Sequence, residues 1–155
     1  MLSTIDEKLK FMRLALDEAK ISYNQGEIPV GAIIVKNGRV ISTSHNENRA
    51  SKNPLKHAEM ISINNACAFV ENERLIDCEM YVTKEPCAMC SGAIIHARIK
   101  KLIIATEDKK YGACGSVLDV CGNKKLNHQP EIEFGILKEE SLYLLKKFFK
   151  ELRKK

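Results

Sequence analysis

Tryptophan is absent from this chain of 155 residues, and five Phe and four Tyr are its only aromatic residues of the Phe, Tyr and Trp type. The core must therefore be mainly aliphatic. No apolar run approaches the roughly 18 residues of a membrane-spanning helix. Linkers, internal repeats and low-complexity tracts are also absent. A chain of this length fits one domain, which we expect to span residues 1–155.

The N-terminal segment lacks the features of an export signal. It reads Met-Leu-Ser-Thr-Ile-Asp-Glu-Lys, without an apolar stretch and with the acids that transit peptides avoid. The chain has six cysteines, but a secreted disulfide scaffold would be shorter and would follow an export signal. We therefore expect a cytoplasmic protein, in which cysteine is a metal ligand, a nucleophile or a small core residue.

Positive charge is concentrated at one end of the chain. Residues 141–155 contain six Lys or Arg and one acid, which accounts for the whole formal net charge of +5. Such a segment can attract a polyanion through its phosphates. It is also typical of a solvated helix face, and charge by itself favours this simpler interpretation.

Apolar spacing and end signals predict four helices. The first follows a capping box made by Thr4 and Glu7. The second begins at about residue 57, the third covers 87–97, and the last runs over about 139–153. The side chains expected to face the core are Ile5, Leu9, Met12, Leu16 and Ala19 in the first helix, Met60, Ile63, Cys67 and Val70 in the second, and Leu142, Leu145, Phe149 and Leu152 in the last.

Five apolar segments are predicted to be strands, namely 30–35, 40–45, 80–83, 102–105 and the less regular 132–134. Asn37-Gly38 predicts a hairpin between the first two strands. The third and fourth strands are connected through the third helix, which predicts a parallel crossover. Residues 106–130 are expected to be loop-rich, with a short helix near Val117. The fold class is α/β, a three-layer domain with a mixed sheet of about five strands.

Two short segments carry the candidate chemistry. They are His57-Ala58-Glu59 and Glu85-Pro86-Cys87-Ala88-Met89-Cys90. A Cys-x-x-Cys pair can place two sulfurs on one zinc ion, although redox pairs share this spacing. No second such pair is present to close a structural site, and His57 is the nearest credible third ligand. Three protein ligands leave one position for water, which is typical of catalytic zinc.

Glu59 is the candidate proton carrier of this site. Residues two apart point away from each other within a helix, so His57 and Glu59 can converge only around a helix end. The cysteines likewise open a helix behind Pro86, and we expect two helix N-termini to face one metal. Their dipoles favour thiolate and hydroxide. Glu59 would then lie beside the bound water without ligating zinc.

The other histidines and cysteines are expected to have no part in this site. We interpret His45, His96 and His128 as structural. Cys67 lies on an apolar stripe and is interpreted as a core residue. Cys78, Cys114 and Cys121 have no partner histidine, and the last two are poorly spaced for chelation.

The pattern His-x-Glu followed by Pro-Cys-x-x-Cys is the signature of zinc nucleobase deaminases. The sequence resembles the bacterial tRNA adenosine deaminases of the cytidine and deoxycytidylate deaminase superfamily over nearly its whole length. The segments that carry this resemblance are 26–35, 81–93, 96–99, 108–116, Leu126-Asn-His128 and the basic helix with Phe148-Phe149. It implies a three-layer α-β-α cytidine deaminase-like fold and one zinc ion per subunit.

The resemblance also implies a function. Members of this family form homodimers and convert adenosine to inosine at the wobble position, position 34, of a tRNA anticodon. Zinc-activated hydroxide would attack C6 of the extruded adenine, and Glu59 would carry protons. Asn46 would orient the base, and the N–H groups near Ala58 and Cys87 would hold the attacking oxygen. Asp108 matches a residue near the nucleotide 5′ to the target, where it would contact a ribose hydroxyl.

The same resemblance changes the interpretation of the basic C-terminus. The family binds a splayed anticodon loop, and Phe149, Lys150 and Arg153 would contact RNA that flanks the loop. Phosphate binding is then the better interpretation of the charge. Two departures from the family pattern bear on the pocket: Lys56 stands where a small residue is usual, and Lys84 where an apolar residue is common.

Two alternative functions remain open from the sequence. A deaminase of a free base or nucleotide, of the cytosine or guanine type, would use the same zinc chemistry. A zinc-stabilised RNA-binding module without catalysis is the alternative from another class, but such a module needs neither Glu59 nor an open coordination position.

Overall fold

The computed structural model describes residues 4–155 and has four helices and five strands within them. In chain order the elements are α1 (Ile5–Asn24), β1 (Gly31–Lys36), β2 (Arg39–His45), α2 (Ala58–Val70), β3 (Cys78–Lys84), α3 (Ala88–His96), β4 (Lys101–Thr106), β5 (Glu131–Phe134) and α4 (Lys138–Arg153). The helices and strands predicted from the sequence are therefore confirmed. The capping box is also present, because Thr4 Oγ1 accepts the Glu7 N–H at 3.1 Å and Glu7 Oε1 accepts the Thr4 N–H at 3.2 Å.

The five strands form one mixed sheet in the order β2-β1-β3-β4-β5. Strand β1 is antiparallel to both β2 and β3, whereas β3, β4 and β5 are parallel. The predicted hairpin is confirmed, and Asn37 and Gly38 have the positive φ values, 50° and 76°, that a tight hairpin turn requires. The predicted parallel crossover through α3 is confirmed as well.

The short helix predicted near Val117 is wrong. Between β4 and β5 the described chain has turns and an isolated bridge that pairs Cys114 with Asp119. Gly115 has a φ of 123°, which a helix cannot accommodate. Asp119 Oδ1 accepts the N–H of Gly122 at 2.9 Å, so this segment is stabilised by turn hydrogen bonds.

Helices cover both faces of the sheet, which gives the three-layer arrangement. Helices α2 and α3 pack together on one face, over a core that includes Ile34, Met80 and Leu102. Helices α1 and α4 pack together on the other, where Tyr81 is fully buried against Phe11 with ring centroids 5.3 Å apart. Met80 and Tyr81 are neighbours in β3 and face opposite layers, as a pleated strand requires.

The predicted core face of α4 is partly wrong. Leu145 is buried as expected, but Phe149 and Leu152 are 37% and 43% exposed and Leu142 is only half-buried. The buried residues are Ser141, Leu144, Leu145 and Phe148. Leu144-Leu145 and Phe148-Phe149 are adjacent apolar pairs, so α4 could bury either of two neighbouring faces. The structure buries the face that includes Ser141, whose Oγ donates to the Thr83 carbonyl at 2.6 Å.

The predicted core faces of α1 and α2 also need correction. In α1, Met12, Leu16 and Ala19 are buried as expected, but Ile5 and Leu9 are exposed because close packing on the sheet begins at Phe11. In α2 the predicted stripe is only half-buried, and the deeply buried residues are Ala58, Glu59, Ser62 and Ala66. This face is turned inward by hydrogen bonds to β2: Ser42 Oγ donates to the Ser62 carbonyl at 2.8 Å and Ser44 Oγ to the Ala58 carbonyl at 2.6 Å.

Three strand ends meet at one edge of the sheet. Strand β1 begins there and the neighbouring β3 and β4 end there, and a hydrogen bond of 2.9 Å from the Glu85 N–H to the Thr106 carbonyl joins the last two. Helices α2 and α3 begin at the same edge. Within residues 4–155, no helix combines the length and the apolar character needed to cross a membrane.

Candidate metal centre and active site

The three predicted zinc ligands converge at the start of two helices. His57 is the N-cap residue of α2 and Cys87 that of α3, and both have extended backbone conformations. Neither caps its helix with its side chain, so both side chains are free to face each other. Cys90 lies in the first turn of α3. The prediction that two helix N-termini face one site is confirmed by this geometry.

The donor atoms fit a zinc ion. His57 Nδ1 lies 3.7 Å from Cys87 Sγ and 3.6 Å from Cys90 Sγ. Within the described chain these three residues form a group whose donor atoms all lie within 4.8 Å of one another. Tetrahedral zinc with typical Zn–N and Zn–S bond lengths holds its nitrogen and sulfur ligands about 3.6 Å apart. Two thiolates and one imidazole are also a typical donor set for catalytic zinc.

The two cysteines share a proton unequally when no metal holds them. The hydrogen bond from Cys90, opposed by burial, lowers the pKa of the Cys87 thiol to about 4. The same hydrogen bond, together with burial, raises the pKa of Cys90. The helix dipole at the N-terminus of α3 also favours a thiolate at this position.

Glu59 lies beside the donor group without belonging to it. It is in the first turn of α2, is only 4% exposed, and lines a cavity of about 270 Å³ together with His57 and Cys87. Burial is the largest influence on its carboxyl group and raises its pKa. A carboxyl group shifted in this direction can exchange protons closer to neutral pH than an exposed glutamate.

Asn46 lines the same cavity and connects two segments of backbone. Its Nδ2 donates to the Ile28 carbonyl at 3.1 Å, and its Oδ1 accepts the Ala58 N–H at 2.8 Å. A side-chain amide has two N–H donors and two oxygen lone pairs, and these contacts use one of each. Ala58 is fully buried, and an oxygen of a substrate would have to share its N–H with Asn46. The substrate-binding roles of both residues stay predictions.

Glu85 is a buried acid to which the sequence assigns no role beyond its motif. The carboxylate is 1% exposed and accepts N–H groups from Asp108 at 3.1 Å, Cys114 at 2.9 Å and Ser116 at 3.2 Å. The Ser116 hydroxyl also donates to it, at 2.5 Å. Glu85 thereby holds the segment 107–116 against the residues that precede Cys87. Its position beside Pro-Cys-x-x-Cys was the only signal available in the sequence.

Glu27 anchors the opposite side of the cavity in the same way. It is 1% exposed and accepts the N–H of Arg49 at 3.1 Å and that of Ala50 at 2.7 Å. The segment 47–53, which leads to His57, is held by these bonds. An isolated Glu before an apolar strand carries no sequence signal for this role, and sequence reasoning therefore missed it.

Asp108 lies at the mouth of the cavity with both carboxylate oxygens engaged. Oδ1 accepts the N–H groups of Lys110 at 3.0 Å and Tyr111 at 3.2 Å, and Oδ2 pairs with Lys84 Nζ at 3.2 Å. Partial burial opposes ionisation, but the Lys110 N–H and the Lys84 charge outweigh it and lower the pKa of Asp108. Asp108 is therefore an anion at neutral pH.

A second, larger groove adjoins this cavity. Its volume is about 660 Å³, and it connects the cavity mouth with α4. Phe149 and Arg153 line it together with Lys109, Lys110 and Lys146. Lys150 is exposed on the same helix but does not line the groove. Two of the three predicted RNA contacts of α4 are thus brought to the candidate site.

The histidines interpreted as structural lie outside the metal group. His45 Nδ1 contacts Glu18 Oε2 at 2.9 Å, His128 Nε2 contacts the Ile99 carbonyl at 2.6 Å, and His96 is exposed at the end of α3. Cys67 and Cys78 also lie elsewhere, the first half-buried and the second fully buried. Cys114 and Cys121, seven residues apart, have sulfurs only 3.4 Å from each other, a closeness that the sequence did not predict.

Comparison with known proteins shows the family of this chain. Residues 5–106 match the family described as the cytidine and deoxycytidylate deaminase zinc-binding region. The tRNA-specific adenosine deaminase of Rickettsia bellii (strain RML369-C) is 46% identical over 144 residues, which are 92% of this chain and 99% of the relative. That of Aquifex aeolicus (strain VF5) is 47% identical over 143 residues, 92% of this chain and 94% of the relative.

The fold has a close counterpart among solved structures. A protein studied for A-to-I editing by tRNA:A34 deaminases at the wobble position of transfer RNA superimposes with a TM-score of 0.85 and 39% identity. The match covers 88% of this chain and 99% of the other.

Proposed function

The chain belongs to the cytidine and deoxycytidylate deaminase zinc-binding family, and we propose that it deaminates adenosine to inosine at the wobble position, position 34, of a tRNA anticodon. The observation that carries this proposal is one arrangement of side chains: His57, Cys87 and the buried Glu59 line a cavity that adjoins a basic groove, and the buried Cys90 completes the group of three zinc donors. It is an enzyme that hydrolyses a C–N bond of a cyclic amidine. Adenine is such an amidine, and ammonia is the second product.

His57, Cys87 and Cys90 hold the zinc ion in this mechanism. When bound, zinc supplies Lewis-acid chemistry that makes water nucleophilic near neutral pH. The two thiolates and the neutral imidazole balance the charge of the ion. The N-terminus of α3 favours the thiolate form of the two cysteines, and a bound zinc ion would remove any proton that remains on them.

Glu59 carries the protons of the reaction. Its carboxylate accepts a proton from the attacking water and delivers it to N1 of adenine as the C6–O bond forms. A second proton, passed through the same carboxyl group, reaches the amino group, so that the C6–N bond breaks with loss of ammonia. The burial of Glu59 supports this role, because a raised pKa makes both uptake and release of the proton accessible.

Asn46 lines the cavity that would take the base, and Ala58 lies between His57 and Glu59, which line it as well. The unused N–H and lone pair of Asn46 would bind the edge of the adenine and so orient its C6 towards the donor group. The Ala58 N–H, shared with Asn46, would stabilise the attacking oxygen. The position of Asn46 in the cavity wall supports its role.

The groove would bind the RNA that surrounds the extruded base. Asp108 would accept a ribose hydroxyl at the cavity mouth, and Phe149 offers an apolar face on which a base can stack. Arg153 and Lys150 would bind phosphates that flank the loop. The groove lining supports Asp108, Phe149 and Arg153 directly, and Lys150 is exposed on the same helix.

The oligomeric state of the chain and its cellular compartment are further parts of this proposal. We infer that residues 1–155 form one deaminase domain that works as a cytoplasmic homodimer. Several large apolar side chains are exposed, among them Phe69 at 64%, Leu55 at 54% and Ile76 at 50%, and contact with a second copy would remove such side chains from water. Light scattering behind size-exclusion chromatography should give twice the 17.5 kDa of one chain. A monomer under working conditions would contradict this part.

The decisive experiment offers the purified zinc protein several substrates. Total tRNA and a synthetic anticodon stem-loop are incubated with it, and sequencing reads A-to-I changes at the wobble position. Free adenosine, cytidine and guanine are assayed in parallel by ammonia release. Inosine in RNA supports the proposal, whereas turnover of a free compound without action on RNA favours the alternative deaminase. Tight RNA binding without ammonia release would indicate a non-catalytic module.

A further inference from the structure

We propose that Lys84 binds a backbone phosphate of the substrate at the junction of the cavity and the groove, with Asp108 as the residue that positions it. The inference rests on the proposed function and adds to it a contact residue. It concerns a side chain that ends strand β3, three residues before the first cysteine ligand.

Lys84 lies where the small cavity and the large groove meet. Four residues line both the small cavity and the large groove: Ile28, Lys84, Asp108 and Tyr111. Nucleic acid that lies in the groove and inserts one base into the cavity must pass between these side chains. Lys84 is the only cation among the four, and its side chain is 24% exposed. The backbone of the inserted nucleotide thus passes a fixed positive charge.

The contacts of Asp108 hold Lys84 in a defined position. Its Oδ1 is held by two backbone N–H groups, those of Lys110 and Tyr111, so the carboxylate cannot turn freely. Its Oδ2 lies 3.2 Å from Lys84 Nζ. An ammonium group has three N–H donors, and this pair uses one. The remaining donors lie at a surface shared by cavity and groove, where an anionic oxygen of the substrate can accept them.

Most of the charged side chains that line the groove beside Lys84 are basic. Lys109, Lys110, Lys146 and Arg153 line the groove, and Lys84 continues this basic lining to the rim of the cavity. Glu107 also lies there, but it pairs with Lys138 at 3.4 Å. The Lys84–Asp108 pair fixes the ammonium in place, which lowers the entropy lost when a phosphate binds it. The Asp108 carboxylate offsets part of the Lys84 charge, and the other cations of the groove supply the remaining attraction for a phosphate.

The test compares Lys84→Met, Lys84→Arg and the wild type on an anticodon stem-loop. We measure kcat and KM for inosine formation across a series of salt concentrations. Lys84→Met should raise KM about 10-fold at low salt with little change in kcat, as expected for loss of one charged contact. The slope of log kcat/KM against log salt should become shallower by about 0.7. Lys84→Arg should keep the wild-type slope.

Arg39→Met is the matched control. It removes one positive charge from the start of β2, at the opposite end of β1 from Val30, which lines the cavity. Its KM and salt slope should equal those of the wild type. Thermal unfolding of all variants shows whether each is folded under the assay conditions.

Three results would overturn the inference. An unchanged salt slope in Lys84→Met, with wild-type KM, would mean that Lys84 touches no phosphate. A fall in kcat at unchanged KM would mean that Lys84 acts only by ordering the segment that contains Asp108. A wild-type protein that forms no inosine would overturn the proposed function and this inference together, which separates that failure from the first two.

Discussion

Asn46 Oδ1 accepts the backbone N–H of Ala58 at 2.8 Å, and this bond joins the end of β2 to the first turn of α2. His57 and Glu59 flank Ala58 on either side. A residue interpreted from the sequence as a base-binding group therefore also fixes the helix end that holds one zinc ligand and the proton carrier. Its two roles can be separated by substitution.

Asn46→Ala should reduce both stability and turnover. It leaves the buried Ala58 N–H without its partner, which costs about 1–3 kcal/mol, whereas the Ile28 carbonyl still accepts the Val30 N–H at 2.9 Å. Asn46→Asp keeps the acceptor for Ala58 and should recover part of the stability but not base binding. Urea unfolding and steady-state kinetics measure the two effects. Unchanged KM and kcat in both variants would show that Asn46 does not bind the base.

Glu59→Ala should retain zinc but lose deaminase activity. The carboxyl group is not among the donors, whereas general acid–base catalysis contributes about 10²–10⁴-fold to rate. Metal analysis of the purified variant and single-turnover inosine formation are the measurements. Glu73→Gln removes another carboxylate from an exposed loop position and serves as the control. Near-normal inosine formation by Glu59→Ala would rule out the proton-carrying role.

Removal of zinc should both inactivate and destabilise the protein. The ligands come from two different helices, α2 and α3, and an ion that binds only the folded state adds its binding free energy to folding. A chelator should lower the Tm and abolish activity, and added zinc should restore both. Cys90→Ala should show a low Tm with or without the chelator. Full activity in chelator, with zinc shown to be absent, would contradict a catalytic metal.

Gly112→Ala should disturb the segment that Glu85 anchors. A Cβ at residue 112 would lie 2.4 Å from the Asp108 carbonyl oxygen and 2.4 Å from Glu85 Cδ, so backbone or carboxylate must move. We expect a loss of about 1–3 kcal/mol in unfolding free energy together with a higher KM for RNA. Gly92→Ala is the control, because nothing lies within 4 Å of its Cβ and it is helical. Equal effects of both substitutions would speak against the anchoring role.

Lys84→Met should raise the pKa of the Asp108 carboxyl group. That pKa is lowered in the folded protein, where backbone N–H groups and the Lys84 charge outweigh burial. The pair therefore stabilises the fold above the ordinary pKa of 3.8, and this contribution is lost as the pH falls through the lower folded value. Carboxyl-carbon NMR titration of the two proteins measures the change. An unchanged Asp108 titration would mean that the pair does not persist in solution.

Much of the fold follows from local patterns in the sequence. The hairpin at Asn37-Gly38 and the capping box at Thr4 each depend on chemistry within a few residues, and the crossover through α3 follows from the order of strand, helix and strand along the chain; all three are present. The donor group was equally predictable, because Cys-x-x-Cys fixes two ligands and few histidines remained to supply the third. Such features need no knowledge of distant contacts.

The predictions that were wrong, and the residues that were missed, concern features that are determined by contacts distant in sequence. In α4 two apolar stripes overlap, and the hydrogen bond from Ser141 to Thr83 favours one of them. In α2 the inward face is small and polar because Ser62 meets Ser42 of β2. Glu27 and Glu85 were overlooked because burial of an acid depends on backbone donors that lie 22 to 31 positions away in sequence. The spacing of apolar residues along the sequence gives no information about such hydrogen-bond partners.

Glu27 and Glu85 each hold a cavity-lining segment through main-chain N–H groups, apart from the Ser116 hydroxyl that Glu85 also binds. Every residue except proline carries that donor, so exposed side chains of segments 47–53 and 107–116 can change without loosening either anchor, whereas Gly112 cannot, because a Cβ there would meet Glu85. Natural variation can thus retune which RNA the entrance prefers while the reaction centre stays the same. Libraries randomised at exposed positions of these two segments are accordingly a rational place to seek altered substrate preference.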